Sequence, residues 1–176
     1  MHDDLLLRSP DPDQTRALAA AVASVLTPGD VVALSGELGA GKTCFVQGAA
    51  RRLGVEGPVT SPTFMLVRTY LDAPVPVVHC DVYRLNRLQD VLDLGEDVLA
   101  PDVVTFVEWG DAVATLLPDD RLEVELTLVD AGDVASGAGR QDSETERLVR
   151  LRPRGPAWRD RAGALADACA PWREEP

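Results

Sequence analysis

The sequence predicts an α/β fold: a mixed, mostly parallel sheet flanked by helices, with an antiparallel extension. Three observations predict it. A short apolar run, a glycine-rich loop and an amphipathic segment follow one another across residues 31–54. Two more runs, Val77–Cys80 and Val103–Val107, are nearly unbroken in apolar character, as strands covered on both faces are. Two late stretches, 121–129 and 147–152, alternate apolar and polar residues, the pattern of a half-exposed antiparallel pair.

Each element has its own signal. Leu18, Val22, Val25 and Leu26 recur at helical spacing, so 13–26 reads as a helix that Asp11 or Asp13 can cap. Thr27-Pro28-Gly29 is a turn, and Val31–Leu34 a buried strand. The loop Gly36–Thr43 leads into a second helix marked by Phe45, Val46, Ala49, Ala50 and Leu53 and closed by Gly54. Gly57, Pro58 and Pro62 make 55–63 a loop. Phe64–Tyr70 can be a strand, Asp72–Pro76 a turn and Val77–Cys80 a strand. Leu88, Val91 and Leu92 suggest a short helix before Gly95. Val103–Val107 is the strongest buried strand. Residues 130–145, rich in Gly, Ala, Ser and Asp, read as a mobile loop. Arg147–Arg152 pairs back on 121–129, and 157–169 forms a terminal helix.

With 176 residues, the chain suits one domain spanning 1–176. Leu5–Leu7, preceded by Asp3 and Asp4, does not have the basic flank and length of a signal peptide, and no window approaches a membrane span. Cys44, Cys80 and Cys169 are odd in number with no CxxC spacing, so neither a disulfide framework nor a zinc site is expected; a reducing cytoplasm fits. Net charge is −12, concentrated in residues 1–128, which hold 20 acids against 9 bases. Such a body repels a phosphate backbone. No stable DNA binding is expected, and any contact with RNA should pass through a partner.

Of 17 basic residues, only Lys42 is lysine, and it lies in Gly36-Glu37-Leu38-Gly39-Ala40-Gly41-Lys42-Thr43, a full match to GxxxxGK[ST]. Successive backbone N–H groups must wrap a polyphosphate, so glycines stand where side chains would block approach. The following helix aims its positive N-terminus at the anion. Lys42 brings a compact ammonium to the β and γ phosphates, and the Thr43 hydroxyl is the expected Mg²⁺ ligand. The expected ligands are thus a nucleotide and Mg²⁺.

Such a loop also needs an acidic group on a neighbouring strand to hold the metal and its water. Glu108 follows Val103–Val107, and Asp81 follows Val77–Cys80; either can also be read as a solvated loop carboxylate. His79 shares a strand face with Asp81 and reads equally as a core histidine or a site residue. Arg84 can meet a γ-phosphate or lie on the surface, and Trp109 can be core. Thr60-Ser61-Pro62-Thr63-Phe64 offers hydroxyls that could sense the γ-phosphate or form an ordinary turn.

GELGAGKT, SPTF at Ser61–Phe64, HCDVYRL at His79–Leu85, VEW at Val107–Trp109 and LP at Leu117–Pro118 together resemble the TsaE (YjeE) family over roughly residues 10–130. The resemblance implies a P-loop fold and a small cytoplasmic ATPase needed to make N6-threonylcarbamoyladenosine in tRNA, working with TsaB- and TsaD-type partners without itself transferring the carbamoyl group. It implies that the nucleotide is ATP, that Gly39, Ala40, Gly41, Lys42, Thr43 and Cys44 bind phosphates, that Thr43 and Glu108 hold Mg²⁺, and that Asp81 serves the metal or its water. Lys42, Asp81 and Glu108 are then the catalytic set, and Thr15 aligns with a threonine near the nucleotide. The chain departs from the family at Cys44, where a second threonine is usual, and at Gln89-Asp90, where a glutamate is common. Residues from 130 onward carry little family signature.

Three rivals remain. A GTP switch needs an NKxD motif, which cannot occur because Lys42 and Asn86 are the only lysine and asparagine. A small-molecule kinase could use Arg147, Arg150, Arg152 and Arg154 as a lid, although they alternate like the outer face of a strand. A nucleotide-gated binding module with negligible turnover is the third.

Overall fold

The computed structural model describes residues 4–62, 66–83, 96–129 and 146–173. The expected helix around Leu88–Leu92, the expected loop 130–145, Arg84, and Thr63-Phe64 lie outside the described residues. The strands are β1 (Leu5–Ser9), β2 (Val31–Ser35), β3 (Val67–Tyr70), β4 (Val77–Asp81), β5 (Val104–Glu108), β6 (Arg121–Leu128) and β7 (Arg147–Arg154). The helices are α1 (Pro12–Ala23), α2 (Lys42–Arg52) and α3 (Pro156–Ala168), with 3-10 turns at Glu96–Leu99, Gly110–Leu116 and Ala170–Trp172.

One sheet carries all seven strands in the order β1-β7-β6-β2-β5-β4-β3. Its centre, β6-β2-β5-β4, is parallel, and β7 with β1 on one side and β3 on the other add antiparallel pairs. This is the expected α/β architecture, with two differences. The stretch 121–129 is antiparallel to β7, as expected, but parallel to β2. Its alternation reports one wet face, not the direction of its neighbours. Leu5–Ser9, given no element from sequence, is a strand paired with β7: Leu7 lies opposite Val149.

Helix α1 starts where Asp11 accepts a hydrogen bond from the Gln14 backbone N–H at 2.8 Å, so Asp11 is the cap. Asp13 instead pairs with Arg16 at 2.9 Å. The helix ends at Ala23, a turn earlier than the apolar spacing predicts, because Val25 and Leu26 leave the helix and still pack on the core. The main core lies between α1, α2, α3 and one face of the sheet, with Leu18, Phe45, Phe106, Leu126, Leu151 and Trp158 essentially inaccessible. A smaller cluster on the other face joins Val78, Cys80, Val103, Val107 and Val113 beneath the turns at 96–99 and 110–116. Gly48 makes the α1–α2 approach possible: a Cβ there would stand 2.2 Å from the Arg16 carbonyl oxygen. Burial pushes the Cys80 thiol up to about 12 and the Cys169 thiol up to about 11, so both behave as core side chains.

Helix α3 is held by the buried Trp158 and Leu165 and by one charged side chain. The Arg161 guanidinium meets Asp30 through two bonds, 2.6 and 2.7 Å, and covers the Trp158 ring at 4.1 Å. Asp30 also accepts the Thr27 backbone N–H at 2.7 Å, which ties the turn before β2 to the C-terminal helix. Arg161→Ala should lower unfolding free energy by about 2 kcal/mol, in the range for hydrogen bonds to charged groups. Arg161→Lys should recover less than half of it, because an ammonium cannot reproduce the fork. Urea melts of the three proteins check this.

Candidate functional site

The parallel strands bring their C-terminal ends to one edge, where open α/β sheets bind ligands. β2 ends at Ser35, the glycine-rich loop follows, and α2 begins at Lys42. Gly41 caps α2 with φ +105°, a left-handed conformation that disfavours any side chain. A Cβ at Gly41 would also stand 2.8 Å from Arg147 Nε. Gly39, with φ +82°, is exposed at the loop crest with nothing near its Cβ position, and Ala40 is fully buried.

Lys42 is folded onto its own loop. Its Nζ donates to the carbonyls of Gly36 at 2.7 Å and Glu37 at 2.9 Å and stands 3.9 Å above the Trp109 ring. Tyr83 packs on the same ring, with centroids 4.8 Å apart. Burial pulls the ammonium below its ordinary value, while Glu108, Asp81, Asp111 and Glu37 act in the other direction. These backbone oxygens and the indole face occupy a cation that otherwise suits an anion. Trp109 has φ +62°, an uncommon conformation for a bulky residue and one found at functional sites.

The acidic groups come from adjacent parallel strands. Asp81 ends β4, Glu108 ends β5, and the two are register partners. Both are almost wholly buried. Thr43 Oγ1 donates to Glu108 Oε1 at 2.7 Å, and His79 Nε2 meets the same oxygen at 2.8 Å. Facing a carboxylate oxygen, which accepts, Nε2 is the nitrogen assigned the proton; among the described residues the buried Nδ1 has no partner. Asp81 Oδ2 accepts from Ser61 Oγ at 3.0 Å, and Oδ1 accepts from the Tyr83 backbone N–H at 3.0 Å. His79, Asp81 and Glu108 share a sheet face because strand side chains alternate: Val77 and Phe106, two residues away, belong to the main core.

Lys42, Thr43, Cys44, Gly39, Gly41, Asp81 and Glu108 line one cavity of about 610 Å³, joined by Arg16, Tyr83 and Trp109. Thr15 is not among them. It is fully buried, and its hydroxyl is engaged with Ser9 Oγ at 2.7 Å and the Asp11 carbonyl at 3.1 Å. Cys44 donates its thiol to the Pro12 carbonyl at 3.3 Å, and burial raises its ionisation point. The oxygen set of a hydroxyl and carboxylates fits Mg²⁺, which takes few protein ligands and completes its shell with phosphates and water. Among the described residues no group of three or more His, Cys, Asp or Glu gathers as a protein-only metal cage.

Two charged site residues, Arg16 and Arg147, escaped the motif reading. Arg147 belongs to the inner face of β7, with Val149 and Leu151, and is nearly buried. Its Nε donates to the Ala40 carbonyl at 3.0 Å, which braces the glycine loop from below. The signal was its odd parity, which separates it from Arg150, Arg152 and Arg154. Those three lie on the opposite face of the strand, paired with Glu125, Asp4 and Glu123. An arginine lid across the site does not form from them.

Residues 9–134 match the family model described as threonylcarbamoyl adenosine biosynthesis protein TsaE. The chain is 45% identical over 124 residues to the tRNA threonylcarbamoyladenosine biosynthesis protein TsaE of Streptomyces coelicolor, covering 68% of this chain and 82% of that one. It is 40% identical over 117 residues to the protein of that name from Bacillus subtilis, covering 66% and 73%. A crystal structure of Bacillus subtilis YdiB superposes with a TM-score of 0.68 at 29% identity, over 97% of both chains. The strand, glycine loop, helix and strand-end carboxylates thus lie in a shared P-loop fold, and the chain belongs to the TsaE family of tRNA threonylcarbamoyladenosine biosynthesis.

Proposed function

We propose that this chain is a Mg²⁺-dependent ATPase of the cytoplasm, working with TsaB- and TsaD-type partners in forming threonylcarbamoyladenosine on tRNA. The observation that supports it best is the 2.7 Å contact between Thr43 Oγ1 and Glu108 Oε1, beside Lys42 and Asp81. It joins the first turn of the phosphate-loop helix to a strand-end carboxylate, as metal-dependent nucleotide hydrolysis requires.

Mg²⁺, when bound, offsets charge on the β and γ oxygens. Thr43 and Glu108 would hold it. His79 fixes the Glu108 carboxylate by donating to Oε1. Lys42 would leave the Gly36 and Glu37 carbonyls for the phosphates, and the backbone N–H groups of 39–44 would surround them. Asp81, held by Ser61 and the Tyr83 backbone, would orient the attacking water or a metal-bound one. Arg147 keeps the loop in its wrapped shape through Ala40.

The net charge of −12 disfavours direct tRNA binding. In a reconstituted reaction with the TsaB–TsaD pair and a threonylcarbamoyl donor, modified tRNA should accumulate only with this chain and ATP present. The isolated chain should show no tRNA affinity tighter than the nonspecific range of ~10⁻⁴–10⁻⁶ M at physiological salt. Modification that proceeds equally without the chain, or sub-micromolar tRNA binding by the chain alone, overturns the proposal.

A further inference from the structure

A second groove, of about 820 Å³, lies beside the nucleotide cavity, between α1, α2 and the loop 57–60. Ala20, Gly48 and Val59 contribute an apolar floor, and Arg16, Arg51 and Arg52 form its rim. Arg16 pairs with Asp13, but Arg51 and Arg52 are unlike most of the other described arginines. Arg8, Arg121, Arg150, Arg152, Arg154 and Arg161 each sit against a carboxylate. Arg51 and Arg52 are exposed, and among the described residues their side chains make no hydrogen bond or ion pair. Their place in the last turn of α2 suits the helix dipole. That accounts for positive charge there, but not for two adjacent cations left unpaired over a groove in a chain of net charge −12.

The groove is also wired to the nucleotide cavity. Arg16 lines both. Its Nε donates to Gln47 Oε1 at 3.3 Å, and Gln47 Nε2 donates to the Val59 carbonyl at 2.9 Å. Two residues further on, Ser61 bonds Asp81. The loop that walls the groove is therefore continuous with the segment that holds a strand-end carboxylate. A shift of Ser61 on nucleotide binding would be carried to the groove wall at Val59 through the one intervening residue, Thr60.

We propose that the α1–α2 groove docks a carboxylate-bearing segment of a partner protein, with Arg51 and Arg52 receiving its acidic side chains and the 57–61 loop linking its occupancy to the nucleotide. The surface favours a protein over RNA. The apolar floor offers nothing to a sugar-phosphate chain, and two unpaired arginines release too few counterions to hold one against the surrounding negative field. Acidic side chains on an apolar helix or strand match both rim and floor. The inference rests on the proposed function in one respect, that a TsaB–TsaD-type pair is the partner.

The test measures affinity for the TsaB–TsaD pair in ATP and Mg²⁺ at about 50 mM and about 200 mM salt, the interval over which charge-driven contacts lose strength. Three proteins are compared: the wild type, R51E/R52E, and Ala20→Trp, which fills the floor without changing charge. The pair should bind R51E/R52E at least tenfold more weakly, with a flatter salt dependence, and Ala20→Trp also more weakly. ATP affinity should be unchanged in both variants; R51E/R52E should melt slightly lower, because two acids replace two bases in the last turn of α2, and stay folded at the assay temperature. Wild-type binding to the pair with neither variant weakened overturns the groove and leaves the proposed function standing. No binding of the wild type overturns both. A charge-reversed variant that loses only affinity for tRNA overturns the choice of a protein occupant.

Discussion

Lys42→Ala is expected to weaken ATP binding by roughly tenfold to a hundredfold. Hydrogen bonds from a charged donor contribute about 1.5–3 kcal/mol, and each 1.4 kcal/mol is a factor of ten in affinity. Lys42 is the chain's only lysine, and its ammonium is held by two loop carbonyls and an indole face rather than by a carboxylate. It can therefore exchange these neutral acceptors for phosphate oxygens without breaking an ion pair. Lys42→Arg should not rescue binding, because a bulky planar fork does not replace the compact ammonium held between two loop carbonyls and the Trp109 ring. Calorimetric titration of folded variants gives the answer. Unchanged ATP affinity in Lys42→Ala removes the assignment of this loop as the phosphate site.

The second large effect separates the two buried carboxylates. Glu108→Gln keeps the size of the side chain and its bond from Thr43 but removes the charge that attracts a cation. Mg²⁺ affinity in the presence of ATP should fall by tenfold to a hundredfold or more, since losing even a supporting outer group costs that much. Hydrolysis should fall with it, and metal-free nucleotide binding should stay largely intact. Asp81→Asn should reduce turnover with a smaller shift in Mg²⁺ requirement, because Asp81 is bonded to Ser61 and Tyr83 and not to Thr43. If Asp81→Asn alone moves the Mg²⁺ requirement, the metal carboxylate has been misassigned.

What could be read from sequence follows from how local each signal is. The glycine loop was legible because its chemistry compresses into eight contiguous residues, and β4 and β5 because burial on both faces leaves unbroken apolar runs. The placement of Asp81 and Glu108 at strand ends followed directly. β1 was not legible. Five residues pairing with a strand on the far side of the sequence leave no turn or periodic pattern to detect. The direction of β6 against β2 was hidden for a related reason: period-two alternation reports which face is wet, while direction is decided by connections elsewhere. Arg147 illustrates the limit. Its parity with Val149 and Leu151 put it on the inner face, but only the assembled sheet shows that this face ends beside Ala40, 107 residues away. The roles of Trp109 and Ser61 were likewise open in sequence, and became specific once Lys42 and Asp81 were seen against them.

Phosphate release from ATP by the wild-type chain, measured with the TsaB–TsaD pair while Mg²⁺ is varied, bears most directly on the account. Release to water should require Mg²⁺, should disappear with a chelator and should be lost in Glu108→Gln. Release that is absent at every Mg²⁺ concentration, that persists in chelator, or that appears as phosphate on a small-molecule acceptor instead of in water would contradict it.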